Sequence, residues 1–345
     1  MPPSRITLYD VAKAAGVHAS TVSRALNTET RHLITGEVVD RVLKTADKLG
    51  YRHNAIASSL RTRRSNAVGI LIPDLLNSVF PPIIVGIEEM LREAGYVLTI
   101  ASHDNNAGRH SAVLDAMLAR QVDGLILATA TLDDISVERL VQRGIPLVMV
   151  NRRDRSSRAP SVITDDESGI GLAVEHLAAL GHRRIGHIAG PQTLSTGVAR
   201  LRGFLAAMQA RNLVADDSCV EIAKSYSRVA GKEAVAALLG KKKKITAIVA
   251  ANDLLALGGY DAFREAKLRC PEDISITGYN DMPLVDLVSP PLTTVRIQHR
   301  QMGIEAARLL IRKLEDPKSA SVGVVLNPEL VVRASTAPPK SNRPR

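Results

Sequence analysis

The sequence predicts an N-terminal all-α helix-turn-helix headpiece followed by an α/β core of two doubly wound parallel-sheet lobes. Three observations predict it. Residues 7–27 carry two short helical patterns joined by a glycine turn. From Asn66 onward, short apolar runs alternate with amphipathic stretches, the pattern of parallel strands covered on both faces. At 345 residues the chain exceeds a usual single domain, and 45% hydrophobic residues supply ample core.

The N-terminal segment reads TLYDVAKAAGVHASTVSRALN. Thr7 fits a helix cap, with Asp10 placed to answer it in a capping box. Leu8, Val11, Ala12 and Ala15 then share one helical face, and Gly16 marks the stop. A second helix is expected from His18 to Leu26, burying Val22, Ala25 and Leu26. Its outer side keeps Ala19, Ser20, Thr21, Ser23 and Arg24. Hydroxyls and a guanidinium suit phosphates and base edges better than a dry core, so the pair reads as a DNA-binding unit rather than an ordinary helical hairpin. Arg24 is the best candidate for a guanine contact. A third helix follows over Gly36–Leu49, with Val39, Val42, Leu43, Ala46 and Leu49 at helical spacing.

In the body, AVGILIP, YVLTIAS, VDGLILATA and IPLVMVN form a first set of strand-like runs. RRIGHIAGP, ITAIVAAND and DISITGYND form a second, with the division near Ser161–Asp165. Helical stretches such as Ile83–Ala94, Ala112–Arg120 and Gly169–Leu180 lie between them. Ligands of open parallel sheets bind beyond the carboxyl ends of the strands, and two lobes can face those ends across a cleft.

Charge is unevenly placed. Residues 1–65 hold +6 of the net +10, and the tail from Ala337 holds +3. Positive charge therefore concentrates where DNA is expected, as counterion release requires. Lys241–Lys244 reads as a solvated loop before a strand. No stretch of eighteen apolar residues occurs, so no membrane span is expected. MPPSRITLYD lacks the apolar core of a signal peptide, so a cytoplasmic, nucleoid-associated location is expected. Cys219 and Cys270 lack metal spacing and are expected as free thiols. Neither GxxxxGK[ST] nor a strand followed by GxGxxG is present, which argues against a nucleotide-dependent enzyme. His176, His182 and His187 are too irregularly spaced for one helical face and read as surface and strand-end residues. No catalytic residue, metal or cofactor is expected. A solute-binding protein on the same fold remains the alternative, disfavoured by the headpiece.

TLYDVAKAAGVHASTVSRALN is similar to the headpiece of the lactose/purine repressor (LacI/GalR) family, and the resemblance continues through nearly the whole chain. LGYRHNAIASSLRTRRS resembles the family's hinge, which becomes a short helix in the minor groove, where paired leucines open the central base step. By position Leu60 is that leucine and Ala57 lies one turn before it; Arg61 and Arg63 flank it. The resemblance implies DNA contacts from Thr7, Ala19, Ser20, Thr21, Ser23, Arg24, Asn27, Asn54, Ala57, Leu60, Arg61 and Arg63. Two departures stand out: His18 replaces the usual Ser, so the recognition helix is capped differently, and His53 replaces the usual Pro. Ala19 and Ser20 are small and fix no operator sequence.

The body resembles the family's periplasmic-binding-protein-like core. That implies a headpiece at 1–52, a hinge at 53–65, a core at 66–336 and a disordered basic tail at 337–345. The N-lobe is expected at 66–163 plus 294–323, and the C-lobe at 164–293 plus 324–336. LNSVF aligns with the family's cleft loop, which places Val79 and Phe80 against the effector, with lobe core as the other reading of Phe80. GPQTLSTGVARLRGF matches a motif in which Thr196 and Arg200 face the ligand. Thr129, Asp165, Tyr226, Asn252 and Asn280 complete the expected effector set. Asp253 and Asp281 fit helix caps at least as well as ligand contacts. Asn280 stands where relatives often have Asp, which favours an acidic ligand. A guanidinium flanked by amides, an acid and an aromatic suits a sugar or sugar acid. STAPPKSNRPR contains no zipper, so a homodimer on a palindromic operator is expected, acting as a repressor under a small-molecule effector.

Overall fold

A computed structural model describes residues 6–27, 30–51, 64–104, 106–241, 244–319 and 322–340. Contacts divide the chain into units 1–65 and 66–345.

The headpiece holds α1 (Leu8–Ala15), α2 (Ala19–Leu26) and α3 (Gly36–Lys48). Thr7 and Asp10 form the expected capping box at α1: Asp10 N donates to Thr7 Oγ1 at 3.3 Å and Thr7 N donates to Asp10 Oδ2 at 2.8 Å. Gly16 ends the helix at φ 65°, a left-handed turn that glycine adopts without steric cost. Val11, Ala12, Ala15, Val22, Ala25, Val39, Val42 and Ala46 form its small core. This is the helical stripe read from the sequence, closed by the third helix.

The second unit begins with β1 (Ala67–Ile72), α4 (Phe80–Glu93), β2 (Val97–Ser102), α5 (Ala107–Ala119), β3 (Gly124–Leu127), α6 (Ile135–Gln142), β4 (Leu147–Val150) and β5 (Ser161–Thr164). It continues with α7 (Asp166–Ala179), β6 (Ile185–Ala189), α8 (Ser195–Ala210), β7 (Val220–Ile222), α9 (Arg228–Gly240), β8 (Ala247–Ala250), α10 (Asp253–Glu265) and β9 (Ser275–Asn280). Last come β10 (Thr293–Arg296), α11 (His299–Glu315), β11 (Val324–Leu326) and β12 (Glu329–Val331).

Two six-stranded sheets result, ordered β11-β5-β4-β3-β1-β2 and β12-β10-β9-β8-β6-β7. All pairings are parallel except β10 with β12. The first sheet runs in register from Ala67↔Val97 to Ile72↔Ser102 at its outer pair. β3, β4, β6 and β8 are buried along their whole length, which is why they read as continuous apolar runs. The same five-strand order recurs in each lobe and reverses beside β1 and β6, so both switch points open at the carboxyl ends of the strands.

Two of the expected boundaries move. β10 stays in the second sheet, so the chain crosses back after Arg296 and not at residue 294. α11 then packs against α4 of the first lobe. β11 pairs with β5 in the first sheet, so the final crossing falls after Leu326 and not at residue 324. The reason is pairing: β10 and β11 each satisfy backbone groups on an existing parallel edge. The three crossings are tied together, with Asp165 N donating to Leu326 O at 2.9 Å and Gln298 Nε2 donating to Asn327 O at 3.0 Å.

The start of the tail is also docked rather than free. Ala337 O accepts from Ser275 Oγ at 3.2 Å and meets His182 Nε2 at 2.9 Å, and Lys340 pairs with Asp273 at 2.5 Å. His182 and His187 are buried in the second lobe, contrary to the expected surface positions. Cys219 and Cys270 are free thiols. Among the described residues, no helix is long and apolar enough to cross a membrane, and no group of His, Cys, Asp or Glu is placed to hold a metal ion.

Candidate functional site

The recognition helix α2 is capped by its unusual residue. His18 Nδ1 accepts from Ser20 N at 3.3 Å and lies 2.9 Å from Ser20 Oγ, so the imidazole does what the family's Ser hydroxyl would do. Ser20 and Arg24 are exposed on the outer face, and Thr21, Ser23 and Asn27 are half-exposed. Ala19 turns partly inward against the headpiece core, which leaves less of its methyl for a base. Thr7 is exposed, with its hydroxyl donating to Asp10 Oδ2 at 2.7 Å. The end of α2 is held by Arg31 Nε donating to Ala25 O at 2.9 Å and Thr30 Oγ1 donating to Arg24 O at 3.2 Å. Asn54, Ala57, Leu60, Arg61 and Arg63 lie outside the described residues.

In the second unit a cavity of about 520 Å³ lies at the carboxyl ends of both sheets. The first lobe contributes the loop after β1 (Pro73, Asp74, Asn77), His103 after β2, Thr129 after β3, His110 and Arg152. The second lobe contributes Pro191, Thr193 and Leu194 after β6 and Lys224–Ser227 after β7. Two bonds close the lobes over it: Leu132 N donates to Thr193 O at 2.9 Å and Arg153 N to Ser195 Oγ at 3.0 Å.

Of the expected effector residues, Thr129 and Tyr226 line this cavity. Thr129 Oγ1 lies 3.0 Å from His110 Nε2. Tyr226 OH donates to Thr196 Oγ1 at 3.2 Å, so Thr196 sits behind the aromatic wall. The others do not line it. Val79 and Phe80 belong to the lobe core, because α4 begins there and turns both inward. Asp165 caps α7, accepting from Ser168 N at 3.1 Å. Asn252 caps α10, accepting from Leu255 N at 2.9 Å. Asn280 is buried at the end of β9. Asp253 is neither a simple cap nor a cavity residue: it accepts from Met282 N at 2.8 Å and from Thr294 Oγ1 at 2.5 Å.

Arg200 is the main correction. Its Nε donates to buried Asp166 at 2.8 Å, its Nη1 donates to Ala251 O at 2.7 Å, and its guanidinium lies 3.8 Å from the centre of the Tyr279 ring. Burial works against its charge, but Asp166, helped by Tyr226 and Tyr279, more than offsets this and holds the guanidinium protonated. The anionic partner expected for a buried Arg200 is therefore inside the protein. The sequence reading missed Asp166, whose adjacency to Asp165 hid the difference between a cap and a counter-ion.

It also missed Arg152, His103, His110 and Lys224. Arg152, His103 and Lys224 each stand one or two residues past a strand, and strand-end position with a polar side chain was the available signal. Burial lowers His103 below the usual imidazole range, reinforced by His110 and Arg152, and pushes Arg152 down to about 10.

Residues 7–54 match the family described as bacterial regulatory proteins, lacI family, and residues 174–336 match the periplasmic binding protein-like domain. The chain is 34% identical over 337 residues to the HTH-type transcriptional regulator DegA of Bacillus subtilis, covering 97% of this chain and 99% of that one. The chain belongs to the lacI family. This lacI-family chain is a transcriptional regulator with an effector-binding domain, and its relatives are regulators rather than enzymes. Among solved structures it is similar to the Lac repressor dimer bound to operator and the anti-inducer ONPF, at 27% identity and TM-score 0.86, covering 97% of this chain and 100% of that one. It is also similar to the transcriptional regulator CelR–cellobiose complex, at 30% identity and TM-score 0.74, covering 96% of this chain and 100% of that one.

Proposed function

We propose that this regulator is a repressor that binds an inverted-repeat operator as a homodimer and responds to a small-molecule effector in the inter-lobe cavity. The observation that carries this reading is the cavity itself, walled by both lobes, in a chain whose other unit is a capped helix-turn-helix. An effector touching both lobes changes their relative energies. Only that differential affinity shifts DNA binding. Likeness to an operator-bound dimer supports the quaternary part, and likeness to a cellobiose complex supports a sugar-like ligand. A role on operator DNA calls for a cytoplasmic location, on the nucleoid.

Exposed Arg24 and Ser20 would meet base edges, with Thr7, Ala19, Thr21, Ser23 and Asn27 at the same surface, and Asn54, Ala57, Leu60, Arg61 and Arg63 would serve the hinge contact. The test is selection of bound sites from random-sequence duplexes by the full-length protein. The expected product is an inverted repeat, since half-site symmetry mirrors protein symmetry. On that sequence Arg24→Ala should cost about 1–3 kcal/mol and relax one position in each half-site. Recovery of a single asymmetric half-site would overturn the dimer reading.

A further inference from the structure

Arg152 is a cation built into the cavity wall without a counter-ion. It is 9% exposed, its Nε has no hydrogen-bond partner, and no carboxylate pairs with it among the described residues. The wall does hold carboxylates, but two are engaged elsewhere. Asp133 pairs with Arg155 at 3.1 Å, and Asp134 caps α6 through Ser136 N at 2.9 Å. Asp74 turns one oxygen to Leu76 N at 2.8 Å. The contrast with Arg200 is direct: both guanidiniums are buried, yet only Arg200 has an ion-pair partner. A buried charge without a partner is costly, and folding alone gives no reason to keep it. The turn before it is specific too, with Asn151 at φ 64° immediately after β4.

We propose that the cavity ligand is a hydroxylated anion, a sugar acid or a sugar phosphate, whose carboxylate or phosphate seats on Arg152. The guanidinium fork matches both groups through paired hydrogen bonds. Lys224, on the facing lobe, adds a second positive charge to the same cavity. The free oxygen of Asp74 accepts from ligand hydroxyls and the Asn77 amide donates to them, its Oδ1 already accepting from Val79 N at 3.2 Å, which explains an acidic side chain in a site for an anion. The inference rests on the effector reading above and names the ligand class for that site. It also moves the anion contact from Arg200 to Arg152.

The experiment is thermal unfolding of the full-length protein with matched probes: glucuronate and galacturonate, glucose 6-phosphate, inorganic phosphate, and neutral glucose and galactose. At least one acid should raise the melting temperature by about 5 °C at saturation, with its neutral counterpart shifting it by less than about 1 °C. A carboxylate and a phosphate arm identify which source fits. Arg152→Gln should lose the shift, and Arg152→Lys should retain part of it. Without probes, Arg152→Gln should melt no lower than the wild type, because it removes an unpaired charge. A clearly lower melting temperature for both variants overturns the proposal by making Arg152 structural. So does the absence of any acid-induced shift, or an equal shift by acid and neutral sugar. DNA binding separates the two readings. A neutral sugar that releases the operator leaves the effector role standing and removes the anion. An acid that binds through Arg152 without altering operator affinity keeps the anion site and removes the effector role.

Discussion

At the scale of single residues, two buried arginines, Arg152 and Arg200, have opposite meanings. Arg200 is closed into a pair with Asp166, with both side chains less than a tenth exposed. Breaking such a pair leaves the other charge stranded. Arg200→Ala should therefore destabilise the core by about 3–5 kcal/mol in chemical denaturation. The double variant Arg200→Met with Asp166→Leu should recover most of that loss, and a single variant as stable as the wild type would refute the structural assignment. Residue type alone does not say which of the two has an ionic partner inside the protein. Arg152 stands two residues past β4, and Arg200 lies inside α8. Partner choice made the difference, and the partner of Arg200 lies thirty-four residues away on another helix.

At the scale of elements, most of the architecture was legible. The α1–α2 pair was written in a capping box, a glycine stop and two helical stripes, all of them local signals. The long buried strands were legible because burial on both faces leaves an apolar run. β7, β11 and β12 were not, since each has three residues, none fully buried. Edge strands this short carry little pattern, and that is why the crossing after β11 was misplaced. Helix pairing was equally hidden. α4 and α11 cross with Gly86 and Gly303 at the contact, where a Cβ on Gly303 would run into the Ile83 carbonyl. Gly303→Ala should cost about 1–3 kcal/mol of first-lobe stability, although alanine favours an isolated helix. Denaturation of that variant checks it, and a gain in stability would mean the helices separate freely.

Across the whole molecule, buried ionisable groups set a pH response. Burial pushes His187 and His299 down to about 4, so between about pH 6.5 and 4 the unfolded chain binds protons that the folded chain refuses. Their contribution is complete above that window and is lost as pH falls through it. Asp253 acts in the opposite sense. Burial pushes it up to about 7, so the folded state gains stability on acidification between about pH 7 and 4. His187 donates Nδ1–H to Val249 O at 2.8 Å and stacks on Phe204, so His187→Gln keeps a donor there while removing the titration. Its melting temperature should fall less than that of the wild type between about pH 7 and 5. Parallel profiles for the two proteins would exclude His187 as a contributor.

The sequence by itself determined the headpiece, the alternation of strands and helices, and the placement of positive charge toward the N-terminus. These are properties of neighbours along the chain, where helical and strand periods and capping residues act over a few positions. The tertiary structure alone decided which polar side chains meet. It paired Arg200 with Asp166, placed Phe80 in the lobe core and left Arg152 facing a cavity beside His103 and His110. The physical reason is that a side chain's charge is fixed by its own chemistry. Its role is fixed by which distant strand end the fold brings within a few ångströms of it.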